Sequence, residues 1–446
     1  MLRWRALAGF LMVTLLAGVG SIVHGATAGP RRTPSGRSTS GPAKSLEIYY
    51  TSPVLVRAGE RVLMPVDVVC ATAEGRACAA SVTIGTRVGA EPWTLLSVPA
   101  VAGLRFDLTS AAARAVARGA SGSVQFFLRA TDGNRFVSLP EGGARRPLQF
   151  FVTRSLPASR MPRIAWGHVR RGRTVLSLPW GSGSFRAGLE VGRQSATRGP
   201  AGFDVDRFGR VYVLDSLQGR LVGFHGRRLF ASAAVSVGAD AALSIGPNGR
   251  AVVAGRGGPS LMLTQLGFDG EVRTANLGAG LPSQVRMVAG QAFARTLPLD
   301  AWVSASPAAG PSVGLPLTGG GQLVRVGSED RLRMARVSGA EVTSSVELTP
   351  PAGVSLGEVA LTEDDGRGGY WVVVRVSADP PAAADQYEVL HVRAGIRIKA
   401  FAVSSRSFAD VPPMARFVLG RDGALYQMTS SPEFLRVLRY DLGEER

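Results

Sequence analysis

The sequence predicts an all-β chain in which a small β-sandwich precedes a β-propeller of six blades, with seven as the alternative count. Three observations carry this. One pattern of short strands and glycine turns recurs, its first two glycines, Gly209 and Gly249, lying 40 positions apart. Short apolar–polar alternations punctuated by Gly, Pro, Asp and Asn fill most of the remaining chain. A sustained helical period is confined to Ala111–Arg118. A period near 40 with about four strands per unit is the mark of a propeller rather than of a helical array.

Residues 1–28 have the three parts of a secretory signal: Arg3 and Arg5, an apolar run from Ala6 to Val23, and Ala26-Thr27-Ala28 as a small-x-small cleavage site. The run is at the lower limit for an uncleaved membrane anchor, and its glycines and its exit favour cleavage after Ala28. No cysteine follows it, which excludes a lipoprotein anchor, and no later segment is long and apolar enough to span a bilayer. The mature chain is therefore expected outside the cytoplasmic membrane, as a monomer. Residues 29–45 are rich in Pro, Gly and Ser, carry four positive charges and contain no aliphatic residue larger than Ala; they read as a disordered tether.

The chain carries 51 Lys and Arg against 33 Asp and Glu, a net charge of +18, and only Lys44 and Lys399 among the basic residues are lysine. Arginine excess alongside abundant Ala, Gly and Val reflects coding composition at least as much as a cationic surface. Were the charge functional, it would favour polyanions such as acidic envelope polymers; nucleic acid is not the expected partner.

The sandwich is expected over residues 46–155. Its strands are legible at Leu46–Tyr50, Arg61–Val69, Ser81–Ile84 and Ser123–Leu128. Cys70 and Cys78 are the chain's two cysteines. In an exported protein so local a pair reads as a disulfide closing a hairpin loop, worth roughly 2–3 kcal/mol through loop entropy. With no histidine in this region a metal site there is not expected.

The runs Met64–Cys70, Ser81–Ile84, Phe106–Arg114 and Phe127–Asn134, with the local cysteine pair and the late Asp132-Gly133-Asn134 turn, resemble an Ig-like domain of exported bacterial proteins. Ala79-Ala80 stands where that family often has a glycine. The resemblance implies an accessory or spacing domain and no catalytic residues.

Between Glu141 and Glu190 there is no acidic residue, while nine arginines accumulate across the domain boundary. Arg163, Arg170, Arg171 and Arg173 are candidates for an anion-binding seam; a solvated junction whose arginines cap carbonyls and meet carboxylates from elsewhere is the plainer account.

The propeller is expected over residues 161–446. Phe203-x-Val205-x-x-x-Gly209-x-Val211, Leu243-x-Ile245-x-x-x-Gly249-x-Ala251 and Phe417-x-Leu419-x-x-x-Gly423-x-Leu425 share one spacing. A looser copy, Val359–Gly366 followed by Gly369–Val374, has an extra residue in its turn. Inner strands near 164, 203, 243, 285, 359 and 417 make six blades, and Val285–Leu348 holds more strand-like runs than one blade needs. The last copy stops after Leu435–Tyr440 without an outermost strand, so Thr174–Leu178 or Ile164–Trp166 is expected to supply it across the ring.

Pro200, Gly202, Phe203, Val205, Asp206, Gly209, Val211, Tyr212, Val213 and Asp215 resemble the NHL-repeat and gluconolactonase-like six-bladed propellers. The lactonase-type members are metal-dependent hydrolases with carboxylate and amide ligands in the central channel. By that resemblance Asp240, Glu358 and Asp410, each just before an inner strand, are the candidate ligands, and Ca²⁺, which prefers several oxygens, is the candidate ion. The asparagines such enzymes add are missing here, so no cofactor is the first expectation. His168, His225 and His391 lie too far apart in sequence for a local zinc motif. Gly181-Ser182-Gly183-Ser184 lacks the strand–turn–helix context of a nucleophile elbow. The expectation is a non-catalytic exported binding or scaffold protein for a ligand or a cell-envelope polymer; the alternative is a divalent-metal propeller hydrolase or lyase.

Overall fold

A computed structural model describes residues 45–443 apart from 72–77, 134, 193–195, 258–259, 268–270, 298, 305–309, 366, 380–383, 394–397 and 412. The expected signal segment, all but the last residue of the expected tether, and Asn134 lie outside the described residues.

The first region is a two-sheet sandwich. One sheet holds Ser45–Tyr50, Leu63–Ala71 and Arg105–Asp107; the other holds Leu55–Arg57, Leu148–Thr153, Ser121–Thr131, Ser81–Val88 and Thr94–Pro99, with Phe136–Leu139 beside Ser121–Thr131. Alternation drives the packing: Ile48, Met64, Val66, Ile84, Phe126 and Phe150 point inward and are buried. The expected helical stretch is a short helix, Thr109–Ala115, whose Ala111 and Ala112 lie against the sheet. Cys70 and Cys78 are bonded, with α-carbons 5.4 Å apart. The bridge does not close a hairpin, because Leu63–Ala71 and Ser81–Val88 belong to different sheets; it ties the crossover between them.

Six sheets follow around an axis. Blade one is Gly202–Val205, Val211–Asp215, Arg220–His225 and Arg228–Ala234; blade two is Ala242–Ile245, Ala251–Gly257, Ser260–Leu266 and Val272–Ala279. Blade three has three strands, Leu281–Val288, Gln291–Leu297 and Ala301–Ser304. Blade four is Leu315–Pro316, Gln322–Ser328, Arg331–Ser338 and Glu341–Thr349, and Ala158–Arg160 adds a parallel edge strand. Blade five is Val354–Asp364, Gly369–Ala378, Asp385–Arg393 and Lys399–Val403; blade six is Phe417–Leu419, Ala424–Ser430 and Phe434–Asp441, completed by Arg173–Pro179.

The glycine common to the copies has a steric cause. Gly209 and Gly249 close the first turn of their blades at φ +72° and +77°, a left-handed conformation that β-carbons disfavour. In blade one Asp206 completes the turn, its Oδ1 accepting from the N–H groups of Phe208 (2.9 Å) and Arg210 (3.0 Å).

Two expectations about the ring are corrected. The segment near residue 164 is not a strand, and Gln322–Ser328 is the inner strand that replaces it, so the surplus runs in Val285–Leu348 form two blades. Blade four escapes the repeat because Ser328 pairs directly with Arg331 across a tight turn, with no room for the recurring glycine. In blade five the matching register lies three residues beyond the one expected: Asp364 pairs with Tyr370 as Val205 pairs with Val211, and Asp365 caps Arg367 and Gly369 as Asp206 caps Phe208 and Arg210.

The ring closes as expected. Arg173–Pro179 pairs antiparallel with Phe434–Arg439, from Arg173 opposite Arg439 to Pro179 opposite Phe434, with one bulge at Thr174–Leu176. Leu176, Leu178, Leu435 and Val437 are buried in that seam and pack with Phe203 and Val205 of blade one. The sandwich is joined to blade four by a different seam, built of ions. Arg333 is 8% exposed, donates to both oxygens of Glu60 at 2.6 and 2.7 Å, and donates to Glu347 at 2.6 Å. Ser345 Oγ donates to the Ser155 carbonyl at 2.7 Å, and Val313, Val324 and Val337 continue the sandwich core into the propeller.

Candidate binding cavity

In blades one and two one residue sits between the two apolar positions of the repeat on the inner strand, and period-two alternation turns it away from them. Those residues are Asp204 in blade one and Ser244 in blade two; Glu363 takes the same place in blade five. They line a cavity of about 670 Å³ that all six inner regions help to wall. The same side chains stitch neighbouring blades. Asp204 accepts the N–H of Ile245 in the next blade as well as its own Val205 N–H (2.7 Å), and Ser244 Oγ accepts Met287 N–H at 3.2 Å.

Arg286 of blade three reaches Glu363 of blade five as a two-pronged pair, one prong at 2.6 Å. Burial pushes the Asp204 carboxyl up to about 6, against the pull of the Ile245 and Val205 N–H groups and of Arg286. Two further carboxylates line the cavity: Asp300 pairs with Arg295 at 2.7 Å, and Asp240 with Arg256 at 3.3 Å. Toward blade four the wall becomes apolar, with Trp302, Val313, Leu315 and Leu323, and Val54 of the sandwich joins it.

Arg325 lines this region. Its Nη1 donates to the Val359 carbonyl (3.0 Å) and to Thr362 Oγ1 (3.1 Å), and its Nη2 meets Met414 Sδ at 3.6 Å. No carboxylate comes within ion-pairing distance among the described residues. Burial, reinforced by Arg295, lowers its pKa to about 9.

The sequence-derived ligands Asp240, Glu358 and Asp410 are not brought together. Only Asp240 lines the cavity. Glu358 keeps one buried oxygen without a partner, and its pKa is raised by burial against the pull of Arg416; Asp410 is held through its backbone to Thr197. Among the described residues, three metal-capable groups converge only at Cys70, Cys78 and Asp132, where both sulfurs are used by the disulfide. Each carboxylate described above on the channel wall has an arginine or backbone N–H partner.

Arg163, Arg170, Arg171 and Arg173 are all exposed. Arg170 lies 4.8 Å over the Phe401 ring, and Arg173 begins the closing strand. Their neighbours Arg154 and Arg186 cap the carbonyls of Val116 and Trp180, as the plainer account of the junction requires. A second groove, of about 810 Å³, runs between blades five and six. There His391 Nε2 lies 2.8 Å from Asp365 and the ring stacks on Trp371, but the described lining holds no Ser, Thr or Cys to serve as a nucleophile.

Sequence reasoning missed Asp204, Arg286, Arg325 and Glu363. The available signal was register: the position between the two apolar residues of each copy names Asp204 and Ser244.

No family model and no curated protein matches the chain. Solved propellers do. A streptogramin B lyase matches at 12% identity over 58% of this chain and 100% of its own, with a TM-score of 0.33. A catalytically inactive virginiamycin B lyase from Staphylococcus aureus with quinupristin matches at 9% identity, over 72% and 97%, TM-score 0.33. A gluconolactonase from Xanthomonas campestris matches at 8% identity, over 60% and 99%, TM-score 0.26.

Proposed function

We propose that the protein is an exported, non-catalytic binding protein that holds a small ligand in the central cavity of its propeller. The observation that carries this is the state of the cavity's carboxylates. Asp204, Asp240, Asp300 and Glu363 each hold an arginine or backbone N–H partner, and among the described residues no three metal-capable groups converge in the cavity. What the cavity offers is an apolar stretch of wall toward blade four set among oriented polar groups, which suits a small ligand. The amino-terminal signal pattern and the Cys70–Cys78 bridge support export. The divalent-metal hydrolase or lyase reading has no converging ligand set in the cavity among the described residues to support it.

Elemental analysis of the dialysed mature protein tests the reading. The expected result is no stoichiometric divalent metal and no change on Asp240→Ala. A stoichiometric ion that this substitution removes would replace binding by metal-dependent catalysis.

A further inference from the structure

We propose that the ligand is a small organic acid, an apolar body carrying one anionic group that docks on Arg325. The proposal rests on the cavity reading above and adds the chemistry of the occupant. A guanidinium offers five N–H donors. The bonds of Arg325 to Val359, Thr362 and Met414 use two on Nη1 and one on Nη2, which leaves Nε–H and one Nη2–H. Those donors belong to a side chain on the cavity wall.

Most of the other charges on the cavity wall have partners. Arg295 takes Asp300, Arg286 takes Glu363, and Asp204 is bound by backbone N–H groups. Glu358, the other acid whose field reaches Arg325, lies outside the cavity lining. Arg325 is thus a half-buried cation that pairs with no carboxylate among the described residues, and an incoming carboxylate or sulfonate gains a charge-assisted, two-pronged bond there. Burial and the neighbouring Arg295 lower the pKa of Arg325, against the opposing pull of Asp300 and Glu358. The rest of the ligand meets Trp302, Val313, Leu315 and Leu323, and Val54 brings the sandwich into the pocket as part of its wall. One acidic group on an apolar body fits Arg325 beside that apolar part of the wall.

Two dyes with one scaffold test it: 8-anilinonaphthalene-1-sulfonate and N-phenyl-1-naphthylamine, which lacks the sulfonate. On the mature protein the sulfonated dye is expected to bind more tightly. Arg325→Gln weakens it by about tenfold or more while leaving the neutral dye unchanged, and Arg325→Lys restores part of the loss. Leu315→Trp, which fills the cavity, weakens both dyes. Thermal melts of each variant exclude unfolding as the cause. If Arg325→Gln leaves sulfonate binding intact while Leu315→Trp abolishes it, the cavity reading stands and the organic-acid proposal falls. If neither dye binds the native protein, or Leu315→Trp affects neither, the cavity reading falls with it.

Discussion

The molecule has two long-range seams, and they are built from opposite materials. Ring closure joins Arg173–Pro179 to Phe434–Arg439 by a ladder of backbone hydrogen bonds, with Leu176, Leu178, Leu435 and Val437 beneath it. The sandwich joins blade four through Arg333, which bridges Glu60 and Glu347. The first seam is a strand completing a sheet that would otherwise end in an open edge, so its need can be counted from the repeat. The second is a set of buried charges whose partners lie 273 positions apart, and nothing local announces it. Apolar seams are written as patterns; ionic seams are written as single residues.

Removing the closing strand is the largest way to break the comparison. A chain starting at Ser182 loses the ladder and the burial of Leu176 and Leu178, each worth about 1.5–3 kcal/mol, and leaves Phe434–Asp441 as an exposed edge. It is expected to aggregate or oligomerise on size-exclusion chromatography. A chain starting at Leu156 keeps the strand and is expected to remain monomeric, though less stable for want of the sandwich. Identical behaviour of the two would mean that the ladder does not close the ring.

The ionic seam is next in size. Arg333→Met leaves two carboxylates facing each other with a buried cation gone, and is expected to destabilise the mature protein to urea by about 3 kcal/mol. Adding Glu347→Leu removes the more buried of the two carboxylates, at the cost of its 3.4 Å pair with Arg57, and should recover part of the loss, because replacing a buried ion pair with apolar groups is milder than breaking it. A single-variant cost below about 1 kcal/mol would show that Val313, Val324 and Val337 hold the sandwich, making both seams apolar.

The same contrast explains how far the sequence can be read. Phe203, Val205, Gly209 and Val211 recur in blades two and six, which need the same turn, and so these blades and the closing strand were legible. Blade four was not, since the Ser328–Arg331 turn omits the glycine. The cavity was half legible: Asp204 and Ser244 stand at a fixed register, whereas Arg286 and Arg325 are two arginines among many, and only the fold shows that one meets Glu363 and the other meets no carboxylate. Of the expected ligands, Asp240 and Asp410 stand before inner strands and Glu358 lies within one but outside the cavity lining, whereas Asp204, Ser244 and Glu363 line the cavity from within theirs.

Asp204 offers the smallest and most direct test, because it is a seam of a third kind, a charge that stitches one blade to the next. Burial raises its folded pKa to about 6 from 3.8. Below pH 3.8 the carboxyl is protonated folded and unfolded alike, and contributes no slope. Between 3.8 and 6 the folded form holds a proton that the unfolded form has released, so stability falls as pH rises through this window; above it both forms are ionised and the full penalty applies. Arg286 and Arg421 face the group and limit the penalty, and its surface on the cavity limits it further. The loss from pH 4 to pH 7 is expected on the order of 1–2 kcal/mol. Asp204→Asn keeps one of the two acceptor bonds and has no such proton to bind. The difference in unfolding free energy between native protein and variant should therefore shift in favour of the variant by that amount as pH rises from 4 to 7. A difference that stays constant would place Asp204 among ordinary solvated carboxylates, and the stitch to Ile245 would then be a neutral turn contact rather than a buried charge.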